Sequence, residues 1–106
     1  MKKLEEYRPK VFALIKTIPI GKVMSYKQVA EKVGISNPRF VGRILNSNTN
    51  PAEYPCHRVV KSDGTVAVGY AFGGPDKQIE LLRREGVTLE SGRIASSSFL
   101  ISRARF

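Results

Sequence analysis

Between Ser25 and Leu45 the chain carries two complete sets of helix-boundary signals with almost nothing between them. Ser25 followed three residues on by Gln28 is the capping-box pattern, in which each side chain satisfies the other residue's backbone N–H. Gly34 suits the left-handed residue that closes a helix. Asn37 is then a second N-cap and Pro38 fits a first helical turn, so only Ile35 and Ser36 connect the two helices. Val29, Ala30 and Val33 form the inward face of the first, and Phe40, Val41, Ile44 and Leu45 that of the second. Arg39 and Arg43 share the outer face at i,i+4. Two short helices, a glycine-containing turn and a basic second helix are what a helix-turn-helix requires, an ordinary helical hairpin being the alternative. Gly42 in mid-helix costs about 1 kcal/mol relative to Ala. Such a residue points to something approaching the backbone closely, another helix or a DNA backbone.

The remaining grammar is consistent with one mixed domain, which is all that 106 residues support. Pro9 is placed in the first turn of an earlier helix whose apolar face is Val11, Phe12, Leu14, Ile15 and Ile18. Pro19–Lys22 reads as a turn and Val23–Met24 as a short apolar step. The polar run from Asn46 to Pro51 leads into an extended segment carrying Cys56 and His57. Arg58–Val60 and Thr65–Val68 read as strands of a hairpin turning at Lys61–Gly64. A fourth helix is expected from Asp76 to Glu85, closed by Gly86, followed by short extended pieces at 87–89 and 92–94. The expected class is mainly α with a small β hairpin, a winged-helix-like helix-turn-helix domain. Residues 1–95 form the domain, and 96–106 a tail in which Phe99, Leu100 and Ile101 either dock or fray.

Cys56 and His57 are the only cysteine and histidine in the chain, and they are neighbours. A thiolate is a strong nucleophile, and imidazole is a natural base to generate one. One cysteine excludes an internal disulfide, and one Cys with one His cannot close a zinc site, so no metal is expected. The chain carries a net charge of +9. Between Ser25 and Lys61 lie Lys27, Lys32, Arg39, Arg43, Arg58 and Lys61 against only Glu31 and Glu53. Such an excess suits a polyanion, since each neutralised phosphate releases counterions. No apolar run approaches the ~20 residues that span a bilayer, no basic amphipathic helix suggests a membrane surface, and the N-terminus does not resemble a signal peptide. A cytoplasmic, nucleoid-associated or nuclear protein is expected, not a secreted one, and a monomer is the simplest state.

Gly21-Lys22-Val23-Met24-Ser25-Tyr26, Arg39-Phe40-Val41-Gly42, Asn48, Pro55-Cys56-His57-Arg58-Val59-Val60, Gly64, Gly73-Gly74 and Leu81-Leu82-Arg83-Arg84-Glu85-Gly86 occur in that order. Together they resemble the DNA-binding and active-site domain of the O6-alkylguanine-DNA alkyltransferases, over roughly residues 10–90. The resemblance implies that the protein binds double-stranded DNA containing O6-alkylguanine, flips the lesion out of the stack and moves the alkyl group to Cys56 once per molecule. It implies no cofactor. His57 would act on Cys56 through a water, with Glu85 orienting His57; the negative end of the fourth helix would make Glu85 a better base. Arg39 resembles the finger that fills the space of the flipped base. Tyr26 resembles the tyrosine that aids rotation and donates a proton towards the leaving guanine, and Asn48 a hinge between recognition helix and active-site segment. Ser25, Gly42 and Arg43 would face DNA in the minor groove. Pro55, Val59, Tyr70, Ala71 and Phe72 would line the base pocket.

Two departures from that pattern stand out. The family commonly has a further N-terminal domain, whereas about ten residues precede the first expected helix here. Its guanine-binding loop carries Tyr-Ser before Gly-Gly, whereas Tyr70-Ala71-Phe72 stands here, so backbone N–H groups of Ala71 and Phe72 would replace the hydroxyl. Two other readings use the same residues. Alkyltransferase-like damage sensors resemble the short architecture but carry another residue at the cysteine position. A helix-turn-helix regulator would leave Cys56, His57 and Glu85 idle.

Overall fold

The capping box at Ser25 forms as its spacing demands. Ser25 Oγ accepts from the Gln28 amide at 2.9 Å, and Gln28 Oε1 accepts from the Ser25 amide at 2.9 Å. The helix that follows, α2 (Tyr26–Val33), ends at Gly34 with φ +86°, a conformation disfavoured for a residue bearing a Cβ. Asn37 Oδ1 then caps α3 (Pro38–Leu45) by accepting from the Arg39 amide at 3.0 Å. The computed structural model describes residues 2–66 and 72–100, with backbone alone for residues 2–4.

The first helix, α1 (Lys2–Ile15), begins earlier than expected, and Pro9 lies inside it rather than in its first turn. Proline removes one backbone bond there. Tyr7, in the turn before it, compensates by packing edge-on against Phe40 of α3 at 6.3 Å between ring centroids. Val11 and Ile15 at i,i+4 are fully buried and meet Val29, Val41 and Ile44, so α1 closes over α2 and α3. Each such side chain contributes about 1.5–3 kcal/mol by leaving water.

Two residues of strand, β1 (Met24–Ser25), pair in parallel with β2 (Val59–Val60), Met24 opposite Val59 and Ser25 opposite Val60. The expected hairpin across Lys61–Gly64 lies partly outside the described residues. In its described part only a turn remains, with Gly64 N–H donating to Lys61 O and Lys61 N–H to Thr65 O; Ala67 and Val68 lie outside the described residues. Val59 and Val60 are buried on both faces of the sheet, and β1 offers them an apolar edge that the exposed 61–63 turn cannot. The antiparallel pair among the described residues is β3 (Leu89–Glu90) with β4 (Arg93–Ile94).

Helix α4 (Gly74–Arg84) starts two residues before the expected Asp76, because Pro75 is accommodated in its first turn. It packs Leu82 with Val23, Val60, Val87 and Ile94 in a second core cluster. The described part of the segment after β4, through Leu100, docks, while Ile101 lies outside the described residues. Ser96–Ser98 make a 3₁₀ turn, and Phe99 bridges Val23 in parallel. The architecture is the expected mainly α, winged-helix-like one, with the β1–β2 pair joining the two cores.

Candidate active site and nucleic-acid interface

Cys56, His57 and Arg58 form a 3₁₀ turn between Pro55 and β2, not the extended segment expected. The turn is closed by Arg58 N–H donating to Pro55 O at 3.0 Å. A 3₁₀ turn spreads successive side chains by about 120° around its axis. Cys56 and His57 therefore diverge, and Arg58 is brought round towards the side of His57. Cys56 faces the first core, 5% exposed, and its Sγ lies 3.4 Å from Asn48 Nδ2. Asn48 is itself fixed, donating from Nδ2 to Tyr54 O at 2.9 Å and accepting at Oδ1 from the Asn50 amide at 2.8 Å. Burial pushes the Cys56 thiol above its ordinary pKa; the Asn48 hydrogen bond and a backbone contact pull back part of that rise.

His57 points to the end of α4. Its Nε2 lies 2.8 Å from Glu85 Oε2, and both side chains are largely buried. Glu85 also receives a two-pronged grip from Arg58, Nε to Oε1 at 2.9 Å and Nη2 to Oε2 at 2.8 Å. Arg58 Nη1 donates to Ile18 O at 2.7 Å, tying this cluster to the turn before β1. The helix-end argument for Glu85 is overturned by this geometry. Burial raises its pKa, but the hydrogen bonds and charges of Arg58 and His57 outweigh burial and lower it below the ordinary carboxylate value. Glu85 is a held anion, not a strengthened base.

Two contributors were invisible at the level of sequence. Arg58 stood in view beside His57, and a lone carboxylate near a buried imidazole called for a cation, yet only the fold shows that the two meet. Gln78 gave no signal. It is buried in α4 and donates from Nε2 to both His57 O and Val59 O at 3.0 Å. It thereby holds the backbone on either side of Arg58, while its buried Oε1 has no partner among the described residues.

Tyr26, the first residue of α2, is partly buried against the same core as Cys56. Burial, and then the proximity of Cys56, raise its phenol pKa, so it is protonated at neutral pH. Beside it opens a cavity of about 460 Å³ lined by Tyr26, Lys27, Pro38, Arg39, Gly42, Asn46, Lys61 and Ser62. Its walls carry three cations and no carboxylate. A second cavity of about 550 Å³ is lined by Tyr7, Arg39, Phe40 and Arg43 among others, so Arg39 stands on the ridge between the two. At Gly42 an added Cβ would meet only Tyr26 Cε1, at 3.8 Å, an ordinary contact. No described helix therefore requires the glycine, and its free side opens on the cavity.

The other expected positions fall as follows. Ser25 is buried with its hydroxyl committed to the helix cap, and Arg43 is exposed. Pro55 is buried at the start of the turn and Val59 is wholly inside the core. Phe72 packs part-buried against the Cys56 core. Tyr70 and Ala71 lie outside the described residues. Among those described, no cluster of side chains suits a metal ion, and no helix is long and apolar enough to cross a membrane.

Residues 6–87 match the model of the family described as 6-O-methylguanine DNA methyltransferase, DNA binding domain. The chain belongs to this family. A methylated-DNA–protein-cysteine methyltransferase of Methanothermobacter thermautotrophicus is 41% identical over 85 residues, 80% of this chain and 47% of that protein. The chain thus spans about half the length of the curated relatives it matches. Among solved members of this fold, S. pombe Atl1, in complex with damaged DNA containing O6-carboxymethylguanine, superposes with a TM-score of 0.80 at 28% identity, covering 92% of this chain and 97% of Atl1. The O6-methylguanine-DNA methyltransferase from Pyrococcus kodakaraensis gives 0.65 at 34% identity, covering 76% and 46%. This methyltransferase-family domain therefore shares its fold with both a named transferase and Atl1.

Proposed function

We propose that this protein repairs O6-alkylguanine in double-stranded DNA by moving the alkyl group, once and irreversibly, onto Cys56. The observation that carries this reading is the union of a buried thiol held by Asn48 with a neighbouring imidazole anchored to a salt-bridged Glu85. A merely structural cysteine needs none of these partners.

In this reading α3 enters the minor groove, where little sequence is read, as a lesion scanner requires. Gly42 admits the sugar–phosphate backbone, Arg39 fills the gap left by the flipped nucleotide, and Arg43 and the lysines contact phosphates. The resting thiol is neutral. On transfer its proton passes through a water to His57, and the imidazolium is stabilised by the Glu85 anion, itself fixed by Arg58. Sγ attacks the alkyl carbon, the carbon–O6 bond breaks, and its electron pair stays on the guanine. Tyr26 protonates the guanine and is reprotonated from solvent, to which His57 releases the thiol's proton, so the net result is a thioether and a protonated base. No cofactor enters this balance.

The TM-score of 0.80 with Atl1, against 0.65 with the methyltransferase, favours a second reading, a damage sensor that binds the lesion without transfer. Intact-protein mass after incubation with an O6-methylguanine duplex separates the two. One added methylene per chain, mapped to Cys56, is expected. Tight lesion binding with no mass gain refutes transfer and leaves the sensor.

A further inference from the structure

The segment after β4 lies beyond the family match, yet it engages the strand that launches α2. Val23 N–H donates to Ser98 O at 2.9 Å and Val23 O accepts from Leu100 N–H at 2.6 Å, so both backbone groups of Val23 are occupied by this segment. Lys22 Nζ reaches Ser97 O at 3.1 Å, and Phe99 packs in the second core. Gln28 completes the attachment. Its Oε1 accepts from Ser25 as the capping box requires, while its free Nε2 donates to Leu100 O at 2.9 Å. Ser25 is the residue before Tyr26, and two residues of β1–β2 pairing tie it to the Cys56 turn, alongside the packing of Tyr26 on the first core. A pair that short is marginal alone, and a third strand on its open edge makes it rigid.

We propose that residues 98–100 are a positioning strap: they hold β1 and the α2 cap so that the Tyr26 phenol is kept in register with Cys56. This rests on the alkyl-transfer reading for Tyr26. Outside its own turn the strap hydrogen-bonds Val23 and Gln28 and, among the described residues, none of Arg39, Gly42 or Arg43, so it governs the step after DNA binding rather than DNA affinity.

Two substitutions break the strap's hydrogen bonds, and Leu100→Pro also removes the Leu100 side chain packed on the first core. Gln28→Glu keeps the acceptor of the capping box and replaces the donor to Leu100 O by a carboxylate oxygen that the carbonyl repels. Leu100→Pro removes the N–H that reaches Val23 O, and Phe99 already has the extended φ −72°, ψ 133° that a following proline demands. Leu100→Ala, which keeps the N–H, is the control. Circular dichroism melts confirm folding, and Gln28→Glu carries the test alone if Leu100→Pro does not fold.

At saturating O6-methylguanine duplex, single-turnover transfer should slow about three- to tenfold in Gln28→Glu and Leu100→Pro, the loss of roughly one hydrogen bond's free energy. The duplex Kd should be unchanged within about twofold. In a Tyr26→Phe background the same substitutions should slow transfer no further, a non-additivity that a general loss of stability would not produce. Wild-type rates in both variants, or an undiminished effect without the phenol, overturn the strap. If the wild type transfers nothing, the transfer reading fails separately. The same cycle is then read from fluorescence of 2-aminopurine at the flipped position, where loss confined to the Tyr26 background supports the strap and no loss overturns it.

Discussion

Replacing Glu85 by glutamine removes one charge and almost no volume from the most densely bonded point of the site. The carboxylate accepts two hydrogen bonds from Arg58 and one from His57, all between 2.8 and 2.9 Å. Glutamine retains one acceptor oxygen and turns an N–H against a donor, so at least one of the three bonds is lost and the rest lose their charge-to-charge component. Breaking a fully buried pair costs about 3–5 kcal/mol. The Arg58 and Glu85 side chains are 13% and 18% exposed, and the Arg58 bond to Ile18 O survives, which brings the expected loss to about 2–3 kcal/mol. For a domain of this size that lowers Tm by roughly 10–20 °C. The pH dependence identifies the cause. The folded Glu85 pKa is depressed, so its stabilisation is fully present above the unfolded value near ~4.3 and is lost as pH falls through the lower folded value. Urea unfolding followed by circular dichroism should therefore show wild type and Glu85→Gln far apart at pH 7 and converging at acid pH. A difference below about 0.5 kcal/mol at pH 7, or one that does not shrink on acidification, refutes the assignment of Glu85 as a held anion.

Gly42→Ala should stabilise the free protein by about 0.5–1 kcal/mol, since a methyl fits 3.8 Å from Tyr26 and helix propensity improves, while duplex affinity falls. A gain in both stability and DNA binding would remove the backbone-approach role. Iodoacetamide should label Cys56 with a rate that climbs with pH through an inflection above the ordinary thiol value near ~8.5. Asn48→Ala removes a contact that lowers the thiol pKa, so that inflection should move higher; a downward move contradicts the geometry. Gln78→Leu strands the carbonyls of His57 and Val59 and should cost about 1–3 kcal/mol in urea unfolding, and a neutral result would mean other donors replace it.

Local chemistry was legible wherever neighbours along the chain suffice. The Ser25–Gln28 box, the Gly34 stop and the Asn37–Pro38 start form as their spacing requires, because each closes within a single helical turn. The pairing of Cys56 with His57 and the resemblance of their surroundings to a known family were likewise readable from residue identity and order. Boundaries set by packing were not. Pro9 sits inside α1, where Tyr7 packs on Phe40, and Val59–Val60 pair with β1, which is distant in sequence.

The sequence by itself determined which groups are present and how each helix begins and ends, since those depend on side chains a few residues apart. The tertiary structure alone decided their states. Glu85 at a helix end reads as a carboxylate made more basic by the dipole. In the fold, Arg58, 27 positions away, and His57 together lower that pKa through three hydrogen bonds and their charges. Gln78, Asn48 and the strap at 98–100 act in the same manner. Electrostatic environment and burial are sums over neighbours in space, and those neighbours are brought together only when the two cores close around β1 and β2.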